Sequence, residues 1–289
     1  MSAATAPPLP ATTSMGAVHL TVADLERSLA YYESAIGLAV RARDGDRASL
    51  GTPDAELLVL VEEPGATLVR RHTGLFHYAL RLPERADLAR WLAHATRTGL
   101  PLAGMSDHFV SEAIYLGDPD GHGIEIYRDR PRDVWEGKVW AGMTTEPLDV
   151  PSLLGELDAP ATEPFDGLPP GTDMGHVHLQ VADTAEAIAF YRDVLGFELM
   201  ADLFGSAAFF GAGGYHHHVG ANTWQSRGAG PPPPGSAALR YATIVLPDAG
   251  ERDRVAGRVA DAGGEPEDRA DGILVRDPSG IALLLAASD

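Results

Sequence analysis

The sequence predicts an α+β protein of four βαβββ units, arranged as two curved mixed sheets, or half-barrels, with the helices outside. Two observations carry that prediction: a long internal repeat, and, within each repeat, strand-type alternation followed by helix-type spacing. The segment "MGAVHLTVADLERSLAYYESAIGL" from Met15 returns as "MGHVHLQVADTAEAIAFYRDVLGF" from Met174, and "GDPDGHGIEIY" from Gly117 returns as "RDPSGIALLLA" from Arg276. The offset, 174 − 15, is 159 residues. That is far longer than a solenoid period and suits duplicated domains.

Residues 1–14, rich in Pro, Ala and Thr, lack the basic and apolar regions of a signal peptide and read as a disordered leader. The first half covers 15–135, as units 15–66 and 67–135. A Pro-punctuated linker follows over 136–172, and the second half covers 173–289, as units 173–228 and 229–289. The first unit opens on a half-buried strand, with Val18, Leu20 and Val22 alternating against His19 and Thr21. Asp24 then caps a helix whose Leu25, Leu29, Tyr32 and Ile36 recur at helical spacing, and Gly37 stops it. Asp183 and Gly196 do the same in the third unit, with Glu186 placed for a capping box. The second unit opens with a strand over Leu75–Leu82 and a helix through Leu88, Leu92 and Ala95. The fourth opens with Arg240–Leu246 and a helix through Val255 and Val259.

With 41 acidic against 22 basic residues the net charge is −19, which argues against nucleic acid and anionic membranes as partners because nothing supplies the basic patch they need. The absence of cysteine excludes disulfides, thiolate catalysis and Cys-ligated zinc, and favours the cytoplasm. No apolar run approaches the roughly 18 residues of a membrane span.

Alternation also sorts side chains between faces. In Phe76–Leu82 the apolar set Phe76, Tyr78, Leu80 and Leu82 is expected on the helix side, which leaves His77 on the concave side. In His176–Val181 the concave residues are His176, His178 and Gln180. In Gly123–Tyr127 they are Glu125 and Tyr127. Two histidines and a carboxylate thus come from three strands. On alternation alone they are equally a set of polar residues on a solvated sheet face.

The paired "HVHLxVADxxxxxxFYxxxLGF"-like units and "DPDGHGIEIY" resemble the vicinal oxygen chelate superfamily, which holds glyoxalases, bleomycin-resistance proteins and extradiol dioxygenases. The resemblance covers nearly the whole chain. "DHFVSEAIYLGDPDGHGIEIY" from Asp107 is similar to type I extradiol enzymes of the catechol 2,3-dioxygenase kind. That resemblance implies iron held by a His on the opening strand of one unit, and by a His and a Glu on the opening and closing strands of its partner. The opening-strand positions here are Ala17, His77, His176 and Tyr241, and the closing-strand positions of interest are Glu125 and Leu284. Neither half has a complete set. Unit two paired with unit three does: His77, Glu125 and His176. The implied cofactor is Fe(II), with Mn(II) suited to the same donors. The implied partners are a small aromatic diol and dioxygen, and a homo-oligomer is left open.

The remaining question is proton handling, and the sequence offers three consecutive histidines in "GYHHHVGAN" from Gly214. In the extradiol pattern a His followed three positions later by a small residue is the acid–base. His218, with Ala221, matches it; alternation would place His216 beside His218 as a substrate contact and turn His217 away, though the doublet lets His217 and His218 exchange roles. The resemblance makes His108 the group that holds bound oxygen and ring hydroxyl, and Tyr115 a phenol donor. His178 and Tyr127 are expected to contact substrate. His19 lies in the ligand-free half and is expected to be an ordinary polar residue. His72, His94 and His122 are expected to be exposed, Trp135, Trp140 and Trp224 to serve packing, and Arg130 and Arg132 to steer an anion or form surface salt bridges.

The expected activity is extradiol cleavage of a catechol with insertion of both atoms of dioxygen. A glyoxalase- or thiol-transferase-like metal enzyme is the alternative. It would add a fourth ligand, often acidic, from the region that here reads Val219–Trp224 and holds no acid. A drug-binding resistance module on the same fold is the third reading, and would need no such ligand set.

Overall fold

The computed structural model describes residues 6–142, 144–157 and 165–288. The first unit comprises β1 (Ser14–Val22), α1 (Leu25–Tyr31), β2 (Ala39–Asp44), β3 (Arg47–Gly51) and β4 (Glu56–Glu62). The second comprises β5 (Gly74–Arg81), α2 (Arg85–Thr98), β6 (Gly104–Asp107), β7 (Ser111–Gly117) and β8 (Gly123–Asp129). Between the halves lie α3 (Arg132–Trp135), α4 (Val139–Gly142), β9 (Glu146–Pro147) and α5 (Val150–Leu154). The third unit is β10 (Asp173–Gln180), α6 (Thr184–Ile188), β11 (Glu198–Asp202), β12 (Ala207–Gly211) and β13 (Val219–Asn222). The fourth is β14 (Leu239–Leu246), α7 (Ala249–Asp261), β15 (Glu267–Arg269), β16 (Gly272–Arg276) and β17 (Ala282–Ala287). None of these helices is long and apolar enough to cross a membrane.

The units pair across the halves. One sheet runs β15-β16-β17-β14-β1-β4-β3-β2, joining units four and one. The other runs β11-β12-β13-β10-β5-β8-β7-β6-β9, joining units three and two. Antiparallel pairing of β10 with β5 and of β1 with β14 makes the two joints.

Within each half the units are fastened through their helices instead. Asp24 accepts the Arg27 N–H to start α1, which runs on into a π-helical turn at Tyr32–Ile36 and ends at Gly37 with φ 91°. The fully buried Tyr32 donates its hydroxyl to Asp118, 2.8 Å away in the turn before β8. The second half repeats the device: Asp183 caps α6, a π-helical turn follows at Ala189–Leu195, and Tyr191 donates to Asp277. Both partners recur at the repeat offset (191 − 32 and 277 − 118). Asp183 accepts the N–H groups of Ala185 and Glu186. The cap therefore forms with donors from its own first turn.

Trp91 of α2 is fully buried, and its indole N–H reaches the Ile36 carbonyl at 3.1 Å, so it ties α2 to the end of the first unit's helix. Trp91→Ala is expected to cost about 3–5 kcal/mol through the cavity it leaves, read as a lowered urea midpoint at unchanged m-value.

The expectation of a disordered leader is corrected over its described residues, and the linker carries short elements of its own. Residues 6–13 of the leader pack on the third unit: Leu9 is buried and donates its N–H to Gly196 O. In the linker, β9 adds a strand to the edge of the nine-stranded sheet through Ser106–Pro147 and Asp107–Glu146 pairs, and α5 packs on α2. Composition suggested neither, because a few apolar residues such as Leu9, Leu148 and Leu153 suffice to anchor a Pro-rich segment to an existing core. The leader at 1–5 and the linker at 143 and 158–164 lie outside the described residues.

Candidate metal centre and its cavity

His77 on β5, Glu125 on β8 and His176 on β10 come from three neighbouring strands of the nine-stranded sheet, and all three are buried. Nε2 of His77 lies 2.9 Å from Glu125 Oε2 and 3.4 Å from His176 Nε2, and His176 Nε2 lies 3.2 Å from the same carboxylate oxygen. Three ligands about 2.1 Å from one ion at right angles to one another stand about 3 Å apart. The triangle therefore fits one face of an octahedral metal. Burial alone would raise the Glu125 pKa, but the imidazoles of His176 and His77 hold it well below the usual carboxylate range, so it is ionised. Burial lowers the pKa of His176 against the pull of Glu125, which favours the neutral, ligating form. Among the described residues Nδ1 of His176 meets no hydrogen-bond partner. Packing against the rings of Tyr127 and His217, at 5.0 and 4.1 Å between centroids, holds it instead.

Beside this triangle opens a cavity of about 540 Å³, within the size range of small-molecule sites. Phe76, Phe209, Leu203 and Trp224 make much of its apolar wall, and His108, Tyr115, His178 and His217 its polar points. His108 Nδ1 donates to the Thr144 carbonyl at 2.8 Å, and its Nε2 lies 2.7 Å from the Tyr115 hydroxyl. Burial, then the charge of Glu125, raises the Tyr115 pKa well above its usual value and keeps it a phenol. Burial, then His77 and His176, lowers the His178 pKa; its Nε2 has no partner.

The triple histidine does not follow strand alternation. Residues 212–218 form an irregular loop, and β13 begins only at Val219. His217, not His218, enters the cavity. His216 is fully buried behind His217, and His218 Nδ1 accepts the Ala212 N–H away from the cavity. Burial, reinforced by His216 and Arg81, lowers the His218 pKa to about 3. Tyr127 also stands outside the cavity: its hydroxyl meets that of Tyr215, and it lies so close over Gly175 that a Cβ there would come within 1.8 Å of it. Of the expected substrate contacts His216, His178 and Tyr127, only His178 lines the cavity.

Phe76 was expected on the helix side. His178 pairs with His77 but the next residue, Leu179, pairs with Leu75, so Phe76 is the extra residue of a bulge and turns toward His178 and Trp224. Trp224, expected to pack, is half exposed at the cavity. Trp135 does pack, between Val110 and Val139, and Trp140 is exposed. His94 and His122, expected to be exposed, are buried and donate to the carbonyls of Ser34 and Thr21. Arg130 and Arg132 form salt bridges with Asp107 and Glu136.

The other sheet has no matching centre among the described residues. Tyr241, Leu274, Ala282 and Leu284 fill the corresponding space, and His19 stacks on Tyr241 at 3.9 Å. Burial, then Arg47, lowers the His19 pKa to about 4.

The model of the glyoxalase/bleomycin resistance protein/dioxygenase superfamily matches residues 14–126 and again 173–285. A catechol-2,3-dioxygenase of Bacillus subtilis (strain 168) is 44% identical over 273 residues, covering 92% of this chain and 94% of that protein. Among solved structures, a Bacillus subtilis protein provisionally assigned as a dioxygenase superposes with a TM-score of 0.65 at 14% identity, over 98% of this chain and 86% of its own. Glyoxalase I of Zea mays superposes with a TM-score of 0.60 at 17% identity, over 96% and 92%. Those two likenesses show a shared fold, whereas the doubled family match and the 44% identical relative reach the sequence itself. With its repeat, its two composite sheets and these matches, the chain belongs to the glyoxalase/bleomycin resistance protein/dioxygenase superfamily.

Proposed function

We propose that this chain is an Fe(II)-dependent extradiol dioxygenase that opens the ring of a catechol, inserting both atoms of dioxygen, with His77, Glu125 and His176 as the metal ligands. The observation that carries the reading is that Glu125 is the one acid on the cavity wall among the described residues. Three protein ligands then leave the rest of the coordination sphere to substrate, whereas a glyoxalase-like site would spend another position on a second carboxylate. The near-full-length likeness to a catechol-2,3-dioxygenase supports the same choice.

When bound, the ion supplies Lewis acidity that lowers the pKa of a phenolic oxygen, and a redox centre for dioxygen; Mn(II) suits the same donors. The protein's own groups do the rest. Phe76, Phe209, Leu203 and Trp224 exclude water and flank a flat aromatic ring. His217 replaces His218 as the proposed acid–base. Its burial, then the neighbouring histidines, lowers its pKa well below the usual value, so it arrives neutral and able to take a phenolic proton. The Tyr115 hydroxyl and His108, a hydrogen-bonded pair on the same cavity wall, are placed to meet the oxygens of the reacting ligands. His178 adds a further polar side chain to the cavity wall.

The test is elemental analysis of the purified chain followed by oxygen uptake with a panel of catechols. One metal per chain is expected, with one dioxygen consumed per catechol and a ring-opened product heavier by two oxygen atoms. A metal-loaded chain that consumes no oxygen but isomerises a thiohemiacetal would instead establish the glyoxalase-like reading.

A further inference from the structure

A hydrogen-bonded chain runs from His217 away from the cavity. His217 Nδ1 lies 2.8 Å from His216 Nδ1, and His216 Nε2 lies 2.7 Å from Asp129 Oδ1. The other oxygen of Asp129 accepts from Arg81 Nη1 and from the Tyr215 hydroxyl, both at 3.0 Å. Arg81 is held in turn by a two-pronged pair with Asp173, at 3.0 and 2.6 Å. The members are placed by the same strands as the metal triangle. Arg81 follows His77 by four residues on β5, and Asp129 follows Glu125 by four on β8, so each shares a sheet face with its ligand. Asp173 opens β10, which carries His176.

We propose that Asp129 and His216 are positioning residues that fix the ring orientation and tautomer of His217. A carboxylate only accepts, so the His216 nitrogen facing Asp129 carries the hydrogen. In the proposed arrangement His216 is a neutral ring with its one hydrogen on the Asp129 side. The Nδ1 of neutral His216 is then a lone pair, and His217 must donate its own Nδ1–H to it. That leaves Nε2 of His217 unprotonated toward the cavity. A free imidazole places its hydrogen mostly on Nε2, which would present a donor where the reaction requires an acceptor. The carboxylate therefore acts two residues away, through an intervening ring.

This inference rests on the reading of His217 as the acid–base, yet its central claim is measurable without turnover. In the full chain loaded with diamagnetic Zn(II), long-range ¹H–¹⁵N correlation spectra report each imidazole tautomer, and His217→Gln identifies the His217 signals. The expected result is an Nδ1–H tautomer for His217. Asp129→Asn keeps the shape but lets an amide N–H face His216, reversing the order of donors along the chain. His217 should then appear as Nε2–H, as when the carboxylate of a catalytic triad is replaced by an amide. His216→Leu should free the ring to the same form. In the iron-loaded protein both variants should keep metal content and KM while kcat falls about 10²-fold or more. A parent chain with Nε2–H at His217, or an Asp129→Asn chain with tautomer and kcat unchanged, overturns the assignment. A parent that shows the expected tautomer but consumes no oxygen with any catechol refutes the reaction and leaves the positioning intact.

Discussion

Glu125→Ala is expected to strip the metal from the chain and the activity with it. Glu125 supplies the negative charge of the ligand set, and its pKa is held well below the usual range by the His176 and His77 imidazoles. Removing it leaves two histidines whose Nε2 atoms, 3.4 Å apart, can grip an ion from one side only. Even a change in the partner of a metal ligand costs about 10–100-fold in affinity or activity, so loss of a ligand should exceed that. His77→Ala and His176→Ala should behave alike, each giving a folded chain with little bound metal and no measurable oxygen uptake. His19→Ala provides the contrast. Its ring is stacked on Tyr241 in the other sheet, far from any ligand set, and the parental metal content should survive. Full metal occupancy and turnover in His176→Ala would refute the assignment of the centre.

The second large effect separates neighbours in one loop. His217→Gln should lower turnover about 10²- to 10⁴-fold, the usual worth of general acid–base catalysis, with metal content unchanged. His218→Gln should stay near the parental rate, because its Nδ1 is engaged by the Ala212 N–H and its ring faces Tyr215 and Phe197 rather than the cavity. Steady-state kinetics beside metal analysis on both variants decides the matter. The opposite ranking would restore the placement that strand alternation suggests.

That contrast also marks how far the sequence can be read. His77, Glu125, His176 and His178 sit within strands, where a period of two sorts faces, and each reaches the concave side as alternation predicts, although bulges adjoin His77 and His176. The cross-half pairing followed from asking which units together hold a full set of ligands, and the sheet order agrees. Alternation failed where the backbone ceases to alternate. Gly213 and Gly214 both have positive φ, and residues 212–218 follow no strand geometry, so counting through the triple histidine gave the wrong member. At Phe76 one bulged residue was enough to move a large side chain from the core to the cavity wall. Buried His94 and His122 were unreadable for another reason: each is satisfied by a carbonyl from a distant segment, which no local pattern records. The Arg81–Asp129–His216 chain did leave a trace, since Arg81 and Asp129 fall at even spacing from the ligands. Only the fold shows that they meet.

The sheet without ligands has kept a different employment. The turn that launches the Glu125 strand is held from outside by the first unit: Tyr32 reaches Asp118, Arg27 and Ser28 reach Asp120, and Thr21 receives the His122 imidazole N–H. The unit that holds none of the three ligands is the jig in which its sibling's carboxylate is aimed. A unit that contributes no ligand can thus still govern a metal-binding geometry, through the angle at which it sets a strand it does not contain.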